Sequence, residues 1–226
     1  MKGKRVFYCE TAYILGIIIL ALGTALMEKA NFGMSMIVAP AYLIHLKVSQ
    51  FIPFFSFGIS EYVFQTCLLI LLSLIMHKVK KSYFLSLATA FIYGIFLDTA
   101  INLIALINLD GIIWQIIYFI LGMVICSSGV ALLFHTYIPP AAYDLFVKEV
   151  TQKTNLRISK VKTIYDFCSL IFSIALALIF FGDFVGINWG TIICTMLNGF
   201  LIGRISSLLE KKFIFKDALN LRSKID

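Results

Sequence analysis

The chain has 226 residues, of which 61% are hydrophobic and 14% charged, and its mean hydropathy is +0.96. A soluble domain of this size needs a charged surface that so few ionisable residues do not supply, so an ordinary globular protein is excluded. The net charge of +7 does not indicate nucleic-acid binding, because the basic residues lie in the breaks between apolar runs and form no stripe.

In chain order, successive apolar runs are long enough to cross a bilayer as helices, which takes roughly 20 residues each. The six runs are Thr11–Glu28, Phe57–Met76, Tyr83–Ile107, Ile112–His135, Val161–Phe181 and Ile187–Ser207. Continuous apolar runs do not form barrel strands, so the predicted fold class is all-α, a polytopic membrane protein with six transmembrane helices. The first run lacks a small-residue cleavage site, and we expect it to be retained as a helix.

The distribution of basic residues predicts the orientation. If the N-terminus lies in the cytoplasm, seventeen of the nineteen Lys and Arg residues lie on the cytoplasmic side, as the positive-inside rule requires. The two on the outer side are Lys29 and Lys47. An odd number of spans would destroy this bias. We therefore expect a multi-pass protein of a bacterial inner membrane with both termini in the cytoplasm, and residues 213–226 as a cytoplasmic tail.

An internal repeat relates the first and fourth runs. When Tyr13–Leu26 is laid over Phe119–Leu132, seven of fourteen positions are identical. The identical pairs are Ile14/Ile120, Leu15/Leu121, Gly16/Gly122, Ile19/Ile125, Gly23/Gly129, Ala25/Ala131 and Leu26/Leu132. Apolar composition alone would give about two identities, so the match indicates a duplication.

The duplication divides the chain into residues 1–110 and residues 111–212, each with three predicted spans. An odd number of spans in each half makes the second half enter the membrane from the opposite face. The predicted architecture is thus two inverted three-helix repeats, an arrangement typical of secondary transporters with a site between the halves.

The connector after the first helix of each half, at residues 30–55 and 137–160, is too apolar for an ordinary loop. The residues expected to end the preceding helices are Gly33, Pro139 and Pro140. Each connector can hold a re-entrant short helix that contributes to a binding site, or a short helix on the membrane surface, and both alternatives stay open here. Ser35 and Asp144 lie near the predicted starts of these short helices.

Polar residues inside apolar helices cost roughly 2.5–3.5 kcal/mol for a centred charge, so those present are functional candidates. The candidate ligand-binding residues are Asn31, Ser35, Glu61, Gln65, Asp98, Asn102, Asp144, Asp166, Thr191, Thr195 and Asn198. Asp98 is the deepest carboxylate, about 22 Å from the inner face at roughly 1.5 Å per residue. Its alternatives are carrying a proton, accepting a cationic group, hydrogen-bonding a neighbouring helix, or reaching the outer headgroups.

Several motifs occur in the order found in a known family. They are Leu22–Leu26 followed by Lys29–Ser35, Tyr93-Gly94 with Asp98, Ile158–Lys162 leading to Asp166, and Gly190-Thr191 with Asn198-Gly199. With these motifs the chain resembles the YczE/YitT-like group of bacterial integral membrane proteins over nearly its whole length. Many members carry Pro after the equivalent of Ser35 and Gly-Pro in the second connector, where Met36 and Ala141-Ala142 stand here. The resemblance implies a membrane protein with transport or regulatory roles.

No pattern in the sequence indicates catalysis. The five cysteines are isolated and the three histidines lie far apart, so neither a metal site nor a cofactor is predicted. A phosphate-binding Gly-rich loop and a nucleophile motif are both absent, and we expect no enzyme. Gly199 with Gly203, Ala21 with Ala25, and Gly16 are expected to let helices approach closely within one subunit.

Two function hypotheses follow. The first is a small-solute permease or secondary carrier with a site between the repeats, which moves a small polar or cationic solute and has Asp98 as its charge-bearing residue. The second is a non-transporting membrane partner or regulatory subunit, for example a substrate-capturing subunit of a larger transporter. The expected partners are the lipid bilayer, a small solute, and a second copy or another membrane protein.

Overall fold

The computed structural model describes residues 5–107, 109, 111–154, 156 and 158–219, without the side chains of 158–160, 162 and 163. Over this part of the chain there are eight helices and two short strands. Six of the helices in the described part are long and apolar enough to cross a membrane. The predicted all-α polytopic fold is confirmed, and the chain is a multi-pass membrane protein.

The element bounds follow the apolar runs closely. In chain order they are β1 (Arg5–Tyr8), α1 (Cys9–Ala30), α2 (Ala39–Val48), α3 (Phe57–Met76), α4 (Lys81–Ala105), α5 (Ile112–Phe134), α6 (Ala142–Thr154), α7 (Ile158–Phe181), α8 (Trp189–Lys212) and β2 (Phe213–Lys216). The six predicted spans correspond to α1, α3, α4, α5, α7 and α8, whereas α2 and α6 are the short helices of the two connectors.

The first helix ends earlier than the glycine in its connector predicts. Asn31 adopts the left-handed conformation, with φ 55°, and its N–H donates to the carbonyl of Glu28 at 3.1 Å. Asparagine tolerates this conformation better than most residues, and it closes the last turn of the helix. The prediction that Gly33 ends α1 is therefore wrong, because the helix has already stopped before it.

The centre of the molecule is the pair α1 and α5, which cross through four glycines. A Cβ added at Gly23 would lie 2.9 Å from the carbonyl oxygen of Gly122. A Cβ added at Gly129 would lie 2.8 Å from the carbonyl oxygen of Gly16. Side chains larger than hydrogen do not fit at this crossing, so the two backbones touch. The close approach predicted at Gly16 is confirmed. Around this pair, α4 packs on α1 and α8 packs on α5.

The two connector helices are packed inside the bundle. α2 lies against α3 and α7, and α6 lies against α3, α4 and α7. Leu43 of α2 and Tyr143 of α6 are buried. The last turn of each connector helix also carries a lysine that caps the C-terminus of a neighbouring helix. Lys47 Nζ donates to the Phe180 carbonyl of α7 at 3.1 Å, and Lys153 Nζ donates to the Ile75 carbonyl of α3. A cation at a helix C-terminus satisfies free carbonyls and interacts favourably with the helix dipole.

The first residues of the predicted tail form a strand. β1 and β2 pair in parallel, with Arg5 beside Phe213 and Tyr8 beside Lys216. Because β1 leads directly into α1 and β2 follows α8, the pairing brings the two ends of the bundle together. Tyr137, in the segment after α5, donates to Glu10 Oε1 at 2.7 Å, and burial together with this bond raises the pKa of Tyr137 to about 12.

Candidate functional site

A cavity of about 170 Å³ lies among the helices of both halves of the chain. Each of the seven helices α1 and α3 to α8 contributes to its wall, as does the segment between α1 and α2. The lining residues are Leu20, Thr24, Met27, Met34, Ser35, Met36, Ile37, Val38, Gln65, Tyr93, Cys126, Val130, Ala141, Tyr143, Asp144, Asp166, Cys194, Thr195, Asn198, Gly199 and Ile202. We call this space the central cavity. Its described wall combines apolar side chains with hydroxyl, amide and carboxyl groups and contains no Lys, Arg or His.

One carboxylate is fully buried directly behind this wall. Glu61 of α3 has no exposed surface, and its Oε2 accepts hydrogen bonds from Gln65 Nε2 at 3.1 Å and Tyr143 Oη at 2.7 Å. Gln65 and Tyr143 both line the cavity. The other oxygen, Oε1, has no hydrogen-bond partner among the described residues. A buried polar atom without a partner is costly, which makes it a candidate for a functional group.

The same residues connect α3 to the start of α6. Glu61 and Gln65 are four residues apart and therefore lie on one face of α3. Gln65 Oε1 accepts the backbone N–H of Ala142 at 3.1 Å, which satisfies one of the free donors at the N-terminus of α6. Thus the two predicted candidates of α3 meet a connector of the other half of the chain.

Tyr143 was not among the candidates predicted from the sequence. Its ring is buried, and its hydroxyl reaches the carboxylate of a residue eighty-two positions earlier in the chain. The available signal was a tyrosine within the apolar connector, since a buried tyrosine hydroxyl needs a hydrogen-bond partner. The identity of that partner depends on the tertiary packing of α6 against α3.

Other predicted candidates lie on the cavity wall. These are Ser35 between α1 and α2, Asp144 in the first turn of α6, Asp166 of α7, and Thr195 and Asn198 of α8. Asn198 Oδ1 accepts a hydrogen bond from Ser127 Oγ of α5 at 2.7 Å, so this amide also links α5 to α8. The structure therefore brings six candidates, including Gln65, to one cavity.

Asp98 lies elsewhere. Its carboxylate accepts the backbone N–H of Gly58 at 2.7 Å and the hydroxyl of Ser56, at the N-terminus of α3. A carboxylate in this place satisfies free backbone donors and interacts favourably with the positive end of the helix dipole. Asp98 is thus a capping residue that holds α4 to α3, and it does not line the central cavity. Of the alternatives predicted for Asp98, its contacts match hydrogen bonding to a neighbouring helix.

Two further candidates also lie outside the cavity. Asn31 is exposed and ends α1, and Asn102 lies on an exposed face of α4. Neither contributes to the cavity wall. Spacing alone grouped Asn102 with Asp98, because residues four apart share a helix face, but that face points away from the cavity.

The outer helices of the two halves differ in how they meet. α3 and α4 pack along their length, with Gly94 so close to Gly58 that an added Cβ would lie 2.7 Å from the Gly58 carbonyl. Within the described residues, α7 and α8 scarcely contact each other. An added Cβ at Gly199 or Gly203 of α8 would meet nothing within 4 Å. The predicted close packing at Gly199 and Gly203 is therefore wrong, because no described residue packs against either glycine, and Gly199 lines the central cavity instead.

A fissure of about 360 Å³ separates α7 from α8. Its walls are Met36, Asp166, Phe167, Leu170, Thr191, Ile192, Thr195 and Met196. Three of these residues, Met36, Asp166 and Thr195, also line the central cavity, so the two spaces adjoin. Thr191 is 1% exposed, and its hydroxyl oxygen has no hydrogen-bond partner among the described residues.

Comparison with known proteins identifies a family without a known activity. No curated protein and no solved structure matches the chain. A family model described as a family of unknown function (DUF6198) matches residues 7–207, and the chain therefore belongs to this family.

Proposed function

We propose that this chain is a small-solute permease or secondary carrier that binds its solute in the central cavity. The observation that carries the proposal is a single cavity whose wall is built from helices of both halves, with polar groups facing an otherwise apolar bundle. In membrane proteins such polar groups are rare and cluster along solute pathways. A binding site between two halves of the chain is the usual arrangement in secondary transporters.

The contacts of α1 with α5 support the inverted repeat on which the proposal depends. The repeat pairs Gly16 with Gly122 and Gly23 with Gly129. Gly16 packs against Gly129, while Gly23 packs against Gly122. Exchanging each glycine for its repeat partner converts one contact into the other, which is what a two-fold axis between the halves requires.

The lysines of the connector helices obey the same relation. Lys47 of α2 caps the C-terminus of α7, and Lys153 of α6 caps the C-terminus of α3. Lys47 and Lys153 are 106 positions apart, the separation that also relates Gly16 to Gly122. This second pair lies far from the glycine crossing in sequence and therefore supports the inverted repeat independently.

The groups around the cavity favour a small polar or cationic solute. Glu61 is held by two neutral donors, and the described lining contains no basic side chain to repel a cation or to bind an anion. A buried carboxylate with a free oxygen attracts a cation or a proton, because its charge is poorly compensated at low dielectric. The carboxylate assigned to the solute is therefore Glu61, in place of Asp98.

Uptake into proteoliposomes tests the proposal. Purified protein is reconstituted, and a panel of small organic cations and neutral polar solutes is offered under a proton or a sodium gradient. We expect gradient-dependent uptake of at least one solute, reduced at least tenfold in Glu61→Gln, which keeps the size of the side chain and removes its charge. Glu210→Gln, at an exposed position near the end of α8, is the matched control and should behave as the wild type.

The proposal is overturned if the folded protein moves no solute of the panel, or if Glu61→Gln transports as well as the wild type. The resemblance to the YczE/YitT-like group implies transport or regulatory roles and stays a prediction. The absence of catalytic chemistry likewise stays a prediction.

A non-transporting partner or regulatory subunit is the second candidate. It is favoured by α8, which is the least buried of the six long apolar helices and carries Gly203, where an added Cβ would meet nothing within 4 Å. A helix of another membrane protein could pack there. This alternative predicts a stable partner after extraction in a mild detergent, lost on Gly203→Leu. A clean monomer in the same extraction would contradict it.

A further inference from the structure

We infer that the fissure between α7 and α8 is a lateral binding site for an amphipathic amine that enters from the bilayer. The inference deepens the proposed function and rests on it for what happens after binding. It names the route of entry and the class of ligand, neither of which follows from the central cavity alone.

The outer lips of the fissure face the lipid side of the bundle. Phe167 is 62% exposed, Ile192 51% and Met196 74%. In a membrane these side chains contact acyl chains, so an apolar tail loses little on moving from lipid into the fissure. The apolar part of the ligand is thus accommodated at the lips.

The inner end of the fissure is polar. It carries the carboxylate of Asp166 and the hydroxyls of Thr191 and Thr195. The Thr195 hydroxyl donates to the Thr191 carbonyl at 2.8 Å, while the Thr191 hydroxyl is buried and has no hydrogen-bond partner in the described part of the chain. The oxygen atoms of these three side chains all accept hydrogen bonds, and one is a carboxylate. A protonated amine offers the complementary donors and charge.

The two ends of the fissure together define the ligand. An apolar tail occupies the lips, and an ammonium head reaches Thr191 and Asp166. From there the head adjoins the central cavity, because Asp166 and Thr195 belong to both walls. Glu61 lies behind the far wall of that cavity, next to Gln65 and Tyr143.

A fluorescent reporter in vesicles tests the opening. The native Trp114 and Trp189 are replaced by Phe, and a single tryptophan is introduced by Leu170→Trp on the fissure wall. In vesicles of phosphatidylcholine with brominated acyl chains, we expect this reporter to be quenched to within a factor of two of a protein that retains Trp189 alone, which is 80% exposed. Phe57→Trp, at a position that is 2% exposed, is the shielded reference. Shielding of the Leu170→Trp reporter would mean that protein, for example a second copy, covers the fissure, and would overturn the inference.

The ligand class is tested in the same vesicles. Decylamine should displace brominated chains and relieve the quenching at least threefold more than decanol at the same membrane concentration. Thr191→Val and Asp166→Asn should each lower this preference for the amine, and the double variant should abolish it. Thr99→Val, on an exposed face of α4, is the matched control. Equal relief by amine and alcohol, or an unchanged preference in the double variant, would overturn the inference.

Neither measurement uses an ion gradient, so a negative result for the lateral site can be distinguished from a negative result for the proposed transport. A protein that binds decylamine but moves no solute contradicts the proposed transport and leaves the site in place. A protein that transports a solute yet shows no preference for the amine contradicts the lateral site alone.

Discussion

The α3/α4 seam and the α7/α8 seam hold corresponding places in the two proposed repeats, yet the first is closed and the second open. In the closed seam Gly58 faces Gly94, and Asp98 binds the N-terminus of α3. Beyond the first helices the repeat continues weakly, with Tyr62 over Tyr165 and Gly94 over Gly199, and its offset changes along the chain. In these two registers Val161 corresponds to Gly58 and Gly203 to Asp98.

The difference between the two seams teaches that two helices pack tightly only when both have a small residue at the point of contact. At the positions that this register pairs with Gly58 and Asp98, α7 has the β-branched Val161 and α8 has Gly203, so neither the facing glycine nor the capping carboxylate is repeated. A backbone approach like that of α3 and α4 is therefore not available to α7 and α8. We expect the open seam to be the one that moves in the proposed transport cycle.

The largest expected effect comes from fixing the open seam. In a cysteine-free background, Leu170→Cys and Thr195→Cys place thiols on opposite walls of the fissure. A short bifunctional thiol reagent should lower uptake in proteoliposomes at least tenfold, and a cleavable reagent should restore uptake after reduction. Each single-cysteine variant treated in the same way is the control, and full uptake by the cross-linked protein would contradict a moving seam.

The glycines of the two seams should differ strongly in their tolerance of a methyl group. Gly94→Ala forces overlap with the Gly58 carbonyl, and overpacking of this kind costs about 1–3 kcal/mol. Gly199→Ala adds its methyl to open space and should change stability by less than about 0.5 kcal/mol. Thermal unfolding in detergent measures both variants, and equal shifts in Tm would show that the α7/α8 seam closes in solution.

Removing the carboxylate that caps α3 should weaken the closed seam. Asp98→Ala leaves the Gly58 N–H and the Ser56 hydroxyl without their acceptor, and loss of such a helix cap costs about 0.5–2 kcal/mol. Hydrogen exchange at Gly58 should accelerate together with a fall in Tm. Asn102→Ala, on the exposed face of the same helix, is the control. A stable Asp98→Ala protein without uptake would instead return Asp98 to the solute pathway.

The smallest effect concerns the helix-capping lysines, which are equivalent under the proposed repeat. Lys47→Met and Lys153→Met each remove a cation from a helix C-terminus and should lower stability by about 0.3–1 kcal/mol. Because the two contacts are far apart, the double variant should show the sum of the single effects. Thermal unfolding measures all three, and a cost confined to one lysine would argue against the equivalence of the connectors.

The sequence by itself determined that this chain crosses a membrane as six helices, because long apolar runs and their lengths are local properties of the chain. It also supplied the repeat at Gly16/Gly122 and the polar candidates Glu61, Gln65, Asp144 and Asp166. Where each candidate points was decided by the tertiary structure alone. Spacing puts Asp98 and Asn102 on one face of a helix, but only packing decides whether that face meets a cavity, a neighbouring helix end or lipid. The bond from Tyr143 to Glu61 and the gap beside Gly199 depend in the same way on how distant segments meet, which no local pattern encodes.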